Sequence, residues 1–113
     1  MTLFDGMQIQ FVTHDDLKER IQNKDRMAIL DIRDGSEYED GHIPYSKSIP
    51  LAVIPHALDN IKNVDGDIIV VCDSGVRSLA AAKFLNSRGI SAFVLKDGYN
   101  KWDIDQKADN GRT

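Results

Sequence analysis

Cys72 is the only cysteine among the 113 residues of this chain, and it carries the strongest nucleophile in the sequence. A lone cysteine cannot form an intramolecular disulfide, which excludes the class of extracellular domains built on disulfides. Its thiolate is a candidate nucleophile for covalent catalysis. It follows the apolar run Ile68–Val71 and precedes a short polar segment that contains a glycine and an arginine. This candidate active-site loop consists of Cys72, Asp73, Ser74, Gly75, Val76, Arg77 and Ser78.

The surroundings of the cysteine predict a place where a negatively charged sulfur is stable. The pattern over Ser78–Arg88 predicts a helix that Gly89 ends, so the sulfur would lie at a helix N-terminus, whose free N–H groups favour an anion. Gly75 lets several N–H groups converge, Arg77 adds positive charge, and Asp73 opposes it. We expect the helix and the arginine to prevail and the sulfur to reach both the amides and solvent. The alternative is an inert cysteine that fills the end of a strand.

Apolar strands alternate with helical segments, which predicts an α/β domain with a mostly parallel sheet of about five strands and helices on both faces. The predicted strands are Gln8–Val12, Met27–Ile32, Ser48–Leu51, Ile68–Cys72 and Ala92–Leu95. The predicted helical segments are one capped by Thr13, then Asp34–Tyr38, Ala52–Ile61, Ser78–Arg88 and Gly98–Trp102. The length fits one domain over 1–113, with a core at about 8–103 and a flexible tail over 104–113.

Composition narrows the classes of partner. A net charge of -4 argues against nucleic acid, which requires a basic face. One cysteine and the scattered His14, His42 and His56 form no metal-ligand pattern, so we expect neither a metal nor a cofactor. The segment Met1–Gly6 lacks the features of a signal peptide, and no apolar run approaches about 18 residues, so we expect a cytoplasmic protein outside the membrane.

Four segments resemble the signatures of the rhodanese family and follow one another in the family's order, and together they cover about residues 8–103. The third along the chain, the loop Cys72–Arg77, is similar to the family's active-site loop, a cysteine followed by a glycine-containing turn into a helix. The other matching segments are Leu30–Arg33 followed by Glu37–Tyr38 and Gly41–Pro44, then Ser48–Leu51, and finally Leu95–Gly98 with Trp102.

The resemblance implies a sulfurtransferase that works by double displacement. Cys72 would attack the sulfane sulfur of thiosulfate, a persulfide or a polysulfide and become a cysteine persulfide. A thiol, cyanide or a sulfur-relay protein would then remove the outer sulfur. The loop N–H groups would hold the negative charge of the persulfide.

The chain departs from the family pattern at three places. Tyr45 and Ser46 stand where a Gly-Ala pair is usual, and Asp97 stands where the first of two glycines is usual. Asp73 stands where many members that use thiosulfate have a basic or neutral residue. The carboxylate of Asp73 would repel that dianion, which counts against thiosulfate as the physiological donor.

Two further residues have alternative interpretations. Arg33 follows an apolar strand and would either attract anions near the loop or pair with Asp31, Glu37 or Asp40. His42 would act as a proton shuttle or as a hydrogen-bonded residue of a turn.

Two other functions remain as alternatives. Cysteine phosphatases of related fold resemble this chain, but their loop has five residues between cysteine and arginine, whereas four separate Cys72 from Arg77. A shorter loop should be too small for phosphoryl oxygens and suited to one sulfur atom. The second alternative is a non-catalytic or carrier module of the same fold that acts by protein docking.

Overall fold

The computed structural model describes residues 8–110, and over this range the chain forms five strands, five α helices and one 3-10 helix. The strands are β1 (Gln10–Val12), β2 (Met27–Asp31), β3 (Lys47–Ser48), β4 (Asp67–Val71) and β5 (Ala92–Leu95). The α helices are α1 (His14–Gln22), α2 (Gly35–Asp40), α3 (Leu58–Lys62), α4 (Val76–Ser87) and α5 (Gly98–Asn110). The 3-10 helix covers Leu51–His56.

The strands of the described range form a parallel sheet in the order β1-β5-β4-β2-β3. Strand β4 is central, and four of its five residues are buried, as its apolar composition requires. The carboxyl ends of all these strands meet at one edge, and the loop after β4 leaves the sheet there. The predicted α/β class with a parallel sheet of about five strands is therefore confirmed.

Helices cover both faces of the sheet, because β4 sends alternate side chains into two separate apolar cores. Ile68, Val70 and Cys72 belong to one core, and Ile69 and Val71 belong to the other. The first core also contains Ile61 of α3 and the α4 residues Ala81, Ala82 and Leu85, whereas the second contains Leu17 of α1 and Trp102 of α5.

Helix α4 covers Val76–Ser87, so it begins two residues and ends one residue before the predicted Ser78–Arg88, and the predicted role of Gly89 in ending it is confirmed. Gly75 precedes the helix with φ 97°, a left-handed conformation that lets the chain turn into the helix directly after the strand. Gly89 has φ 78° and its N–H donates to the Asn86 carbonyl at 3.0 Å, which is the expected C-terminal arrangement. The N-cap predicted for α1 is also present, since Thr13 Oγ1 accepts from Asp16 N–H at 3.1 Å.

The segment after β3 differs from the sequence prediction. The predicted strand Ser48–Leu51 was wrong in its bounds, because β3 covers Lys47–Ser48 and Leu51 already begins the 3-10 helix. Hydrogen bonds to the β2 side continue past Ser48, since Ile49 N–H donates to the Asp31 carbonyl at 2.9 Å and Leu51 N–H to the Ile32 carbonyl at 3.1 Å, before the chain turns into the 3-10 helix. The single weak helix predicted over Ala52–Ile61 divides at Ala57, whose φ of -113° is not helical.

Helix α5 is longer than the sequence predicted. It continues from Gly98 to Asn110, whereas the pattern predicted one helical turn and a polar tail from residue 104. The first turn is held by hydrogen bonds to the loop after β4, and Trp102 packs in the core, so tertiary contacts supply the nucleus that a polar helix lacks. The end of the predicted tail, 111–113, lies outside the described residues. No helix in the described range is long and apolar enough to cross a membrane.

Candidate active site

Cys72 lies at the carboxyl end of β4 with its sulfur inside a ring of hydrogen-bond donors. Its Sγ accepts from Gly75 N–H at 3.0 Å and from Ser78 N–H at 3.3 Å. The thiol donates to Ser78 Oγ at 3.2 Å, and this bond reverses direction when the sulfur is a thiolate. The predicted convergence of amides on the sulfur is therefore present in the structure.

The amides converge because of the backbone conformation at Gly75. A side chain there would have room, since an added Cβ would lie 3.7 Å from Asp97 N, but φ 97° is strained for any other residue. This conformation brings the start of the 12-residue helix α4 against the sulfur. The free N–H groups and the positive end of the helix can then stabilise negative charge on Cys72.

A second helix N-terminus holds the loop from behind. Tyr99 N–H donates to the Cys72 carbonyl at 2.8 Å, and Asn100 N–H donates to the Asp73 carbonyl at 3.0 Å. Gly98 allows this close approach, because a Cβ there would lie 2.8 Å from the Cys72 oxygen and closer still to the Asp73 carbonyl group. Sequence reasoning identified Gly98 as part of a signature but missed its contact with the loop, which only the packing of α5 reveals.

The two residues that depart from glycine in the family pattern both adopt left-handed conformations. Asp97, next to Gly98, has φ 64°, a region that aspartate tolerates better than most residues. Tyr45 has φ 69° and follows Pro44 in a turn that Ser46 N–H closes onto the Ile43 carbonyl at 3.1 Å. The fold thus accommodates both departures at a local cost in backbone strain.

The charged side chains of the loop form ion pairs with one another and with Glu37 of α2. Arg77 Nη2 lies 3.4 Å from Asp73 Oδ1 and 3.7 Å from Glu37 Oε1, and Asp73 Oδ1 also accepts from Ser74 N–H at 2.8 Å. Burial acts to raise the pKa of Asp73, but the Ser74 N–H and the Arg77 charge outweigh it and lower that pKa. The positive charge expected from Arg77 is therefore shared between two carboxylates.

Arg33 forms a buried ion pair with Asp31, one of the two interpretations that the sequence left open. Its guanidinium binds the carboxylate through Nε at 3.0 Å and Nη2 at 2.7 Å, and Nη2 also donates to the Gly41 carbonyl at 2.8 Å. Burial lowers the pKa of Arg33, but the hydrogen bond and charge of Asp31 outweigh it and raise that pKa. The guanidinium lies 4.1 Å from the centre of the Tyr99 ring, so Arg33 supports the residue whose N–H holds Cys72.

The remaining candidates lie at the surface. His42 stacks on the Tyr38 ring with the ring centres 3.7 Å apart, and its Nδ1 lies 2.7 Å from the Tyr38 carbonyl. These contacts agree with the interpretation of His42 as a hydrogen-bonded residue of a turn. Ser74 is exposed, and Val76 is 73% exposed at the rim of the loop. The hydrogen bonds of Sγ are with Gly75 and Ser78, so the structure brings these two residues, rather than the whole loop, to the sulfur.

The expectation that the sulfur reaches solvent was wrong, because Cys72 is 0% exposed. Its buried position reflects the first apolar core below and the start of α4 above. A cavity of about 370 Å³ is lined by Arg33, Glu37, Asp40, Gly41, Tyr99 and Asp103, and two of these contact the loop, Glu37 through Arg77 and Tyr99 through its N–H. Among the described residues, no group of three or more His, Cys, Asp or Glu side chains could hold a metal ion.

Comparisons by sequence and by structure both find proteins that are described as rhodanese-like. The family described as "Rhodanese-like domain" matches residues 13–105. The putative sulfurtransferase YtwF of Bacillus subtilis is 27% identical over 104 residues, which is 92% of this chain and 100% of the relative. The thiosulfate sulfurtransferase GlpE of Pseudoalteromonas translucida is 35% identical over 82 residues, or 72% and 77% of the two chains. The crystal structure of a rhodanese-like domain protein from Staphylococcus aureus matches with a TM-score of 0.76 and 33% identity over 83% of this chain and 91% of that one.

Proposed function

Because the chain belongs to the rhodanese-like domain family, we propose that it is a sulfurtransferase that carries sulfane sulfur as a persulfide on Cys72. The observation that carries this proposal is the arrangement of Gly75 N–H, Ser78 N–H and Ser78 Oγ around one sulfur atom. Three donors within 3.3 Å are suited to a group that carries negative charge through the whole reaction cycle.

The first step forms a new S–S bond and breaks one in the donor. The Cys72 thiolate attacks the outer sulfur of thiosulfate, a persulfide or a polysulfide. The donor leaves as sulfite, as a thiolate or as a shortened polysulfide anion, respectively, and it keeps the electron pair of the broken bond. The enzyme then carries one additional sulfur, whose negative charge the loop N–H groups stabilise.

The second step returns the enzyme to its starting state. A thiolate, cyanide or the cysteine of a sulfur-relay protein attacks the outer sulfur of the persulfide. The Cys72 thiolate is the leaving group, and the donors that stabilise it in the first step make it a better leaving group in the second. The buried sulfur must become accessible for both steps, and the exposed Ser74 and Val76 form the part of the loop that a substrate meets first.

The position of Arg77 argues against the phosphatase alternative. A phosphatase needs its arginine directed into the loop to bind phosphoryl oxygens. Here the guanidinium lies 3.4 Å from Asp73 and 3.7 Å from Glu37, which share its charge. The hydrogen bonds of Sγ are with Gly75 and Ser78, and they converge on a single atom.

The proposal is tested by intact-mass spectrometry after incubation with thiosulfate, inorganic polysulfide or a thiol persulfide. We expect wild-type protein to gain the mass of one sulfur atom and to lose it on addition of cyanide or a thiol. Cys72→Ala and the near-isosteric Cys72→Ser should gain none, with melting temperatures measured to show that both are folded. No gain with any donor would refute the proposal and favour a docking module, and hydrolysis of para-nitrophenyl phosphate would favour the phosphatase.

A further inference from the structure

The entrance to the Cys72 loop carries an excess of negative charge. Asp73 and Glu37 each lie within 4 Å of the same guanidinium, that of Arg77, so this group of three side chains has two negative charges and one positive charge. All three are more than a third exposed, with side-chain exposures of 41% for Asp73, 39% for Glu37 and 36% for Arg77. Their charges are therefore accessible to a donor that approaches the loop from solvent.

The buried arginine on this side of the sheet does not offset that excess. Arg33 is 4% exposed and its charge is matched by Asp31 through two hydrogen-bonded nitrogens. The cavity that Arg33 and Tyr99 line also contains the carboxylates of Glu37 and Asp40. The field at the entrance thus opposes multiply charged anions, while the donors inside the loop favour one negative sulfur.

We infer that Asp73 and Glu37 determine donor selectivity, so that the site takes sulfur from thiol persulfides with at most one negative charge in preference to thiosulfate. This inference rests on the proposed sulfurtransferase function. It assigns a role to Glu37, a residue of α2 that lies outside the loop and reaches it through Arg77.

The two donors deliver the same sulfur but differ in charge. With thiosulfate, the Cys72 thiolate and a dianion give a persulfide anion and sulfite, and three negative charges meet at the site. With a protonated thiol persulfide, the thiolate attacks the outer sulfur, the S–S bond of the donor breaks, and a thiolate leaves. One negative charge is then present throughout, so the carboxylates at the entrance penalise the first reaction more than the second.

The test replaces the carboxylates without removing their hydrogen bonds. Asn at position 73 keeps the oxygen that accepts from Ser74 N–H, and Gln at position 37 keeps the oxygen that accepts from Asp34 N–H. The measured quantity is the second-order rate of sulfur loading onto Cys72 by intact mass, with thiosulfate and with the persulfide of 2-mercaptoethanol. The ratio of the thiosulfate rate to the persulfide rate cancels effects on general reactivity.

We expect this ratio to rise about threefold in Asp73→Asn and in Glu37→Gln and about tenfold in the double variant, which corresponds to about 1.4 kcal/mol. The rise should shrink at about 0.5 M salt, because the charges are exposed. Glu39→Gln is the matched control, since Glu39 is an exposed carboxylate of the same helix, two residues from Glu37 and so on another face, and should leave the ratio unchanged.

The outcomes separate this inference from the proposed function. If wild-type protein loads no sulfur from either donor, both are refuted. If it loads sulfur but the double variant shows the wild-type ratio, or if Glu39→Gln raises the ratio equally, the selectivity role of Asp73 and Glu37 is refuted and the sulfurtransferase proposal stands. A raised ratio that disappears at high salt supports both.

Discussion

Substitution of Ser78 by alanine removes the hydroxyl group nearest to the Cys72 sulfur and leaves the main chain intact. The Ser78 hydroxyl lies 3.2 Å from Sγ, and both residues are 0% exposed. Water therefore has no direct access to replace the lost donor. The Ser78 N–H at 3.3 Å and the Gly75 N–H at 3.0 Å remain, so the variant loses one of the three groups described at the sulfur.

The size of the effect follows from the charge on the sulfur. A hydrogen bond to a charged group contributes about 1.5–3 kcal/mol, and an acceptor as large as sulfur favours the lower part of that range. A loss of about 2 kcal/mol corresponds to a decrease of roughly 30-fold in the rate of persulfide formation. The free energy of unfolding should change much less, because the neutral thiol is a weak hydrogen-bond donor.

The assay follows sulfur loading of Cys72 by intact mass under second-order conditions at neutral pH. Ser78→Thr keeps a hydroxyl group and should retain more activity than Ser78→Ala, provided that it folds. Ser87→Ala is the matched control on the same helix, because the Ser87 hydroxyl binds the Phe84 carbonyl at 2.6 Å and is exposed. It should load sulfur at the wild-type rate.

Two results would contradict this reasoning. A loss of less than about threefold in folded Ser78→Ala would show that the hydroxyl does not stabilise charge on the sulfur. A parallel loss of activity and melting temperature would show that Ser78 acts through packing of α4 instead. In either case the two main-chain N–H groups would be the remaining explanation for reactivity at this site.

Two further predictions concern Gly98 and Tyr45, which both have a left-handed backbone conformation, and both predictions are tested by melting temperature. Gly98→Ala should lower stability by about 3 kcal/mol, or the melting temperature by about 10 °C, because its Cβ would meet the Cys72 carbonyl at 2.8 Å in a left-handed conformation. Gly35→Ala is the control, because nothing lies within 4 Å of its Cβ, and its melting temperature should not fall in this way. An equal fall in both variants would show that the clash at position 98 is not the cause. Tyr45→Gly should raise stability by about 0.5–1 kcal/mol, since it relieves φ 69° at a side chain that is 82% exposed. Tyr45→Ala keeps the strain, so a similar rise in that variant would point to the loss of exposed apolar surface instead.

The sequence alone predicted the elements that place the cysteine. The apolar run before Cys72 indicates a strand buried on both faces, and Gly89 marks the end of the following helix, because local hydrophobic periodicity and glycine conformation are properties of neighbouring residues. The order of strands and helices then places the loop at the carboxyl edge of a parallel sheet. These features follow from interactions within a few residues of chain.

Contacts between distant segments could not be predicted in this way. The sequence left Arg33 with two roles. Asp31 lies only two residues away, but the contact of the guanidinium with the Tyr99 ring forms only when α5 packs on the sheet. The length of α5 itself has the same cause, since its first turn is held by the Cys72 and Asp73 carbonyls rather than by its own polar sequence.

The charge around the loop was likewise decided by tertiary structure. The sequence shows that Arg77 follows Cys72 closely, but the partner that shares its charge, Glu37, belongs to α2. Burial of the sulfur also depends on the apolar core below it and on the early start of α4. The pattern of side chains along the chain predicts which faces of the helices and strands are apolar. The direction of a long charged side chain, in contrast, depends on which opposite charge the folded structure brings close to it.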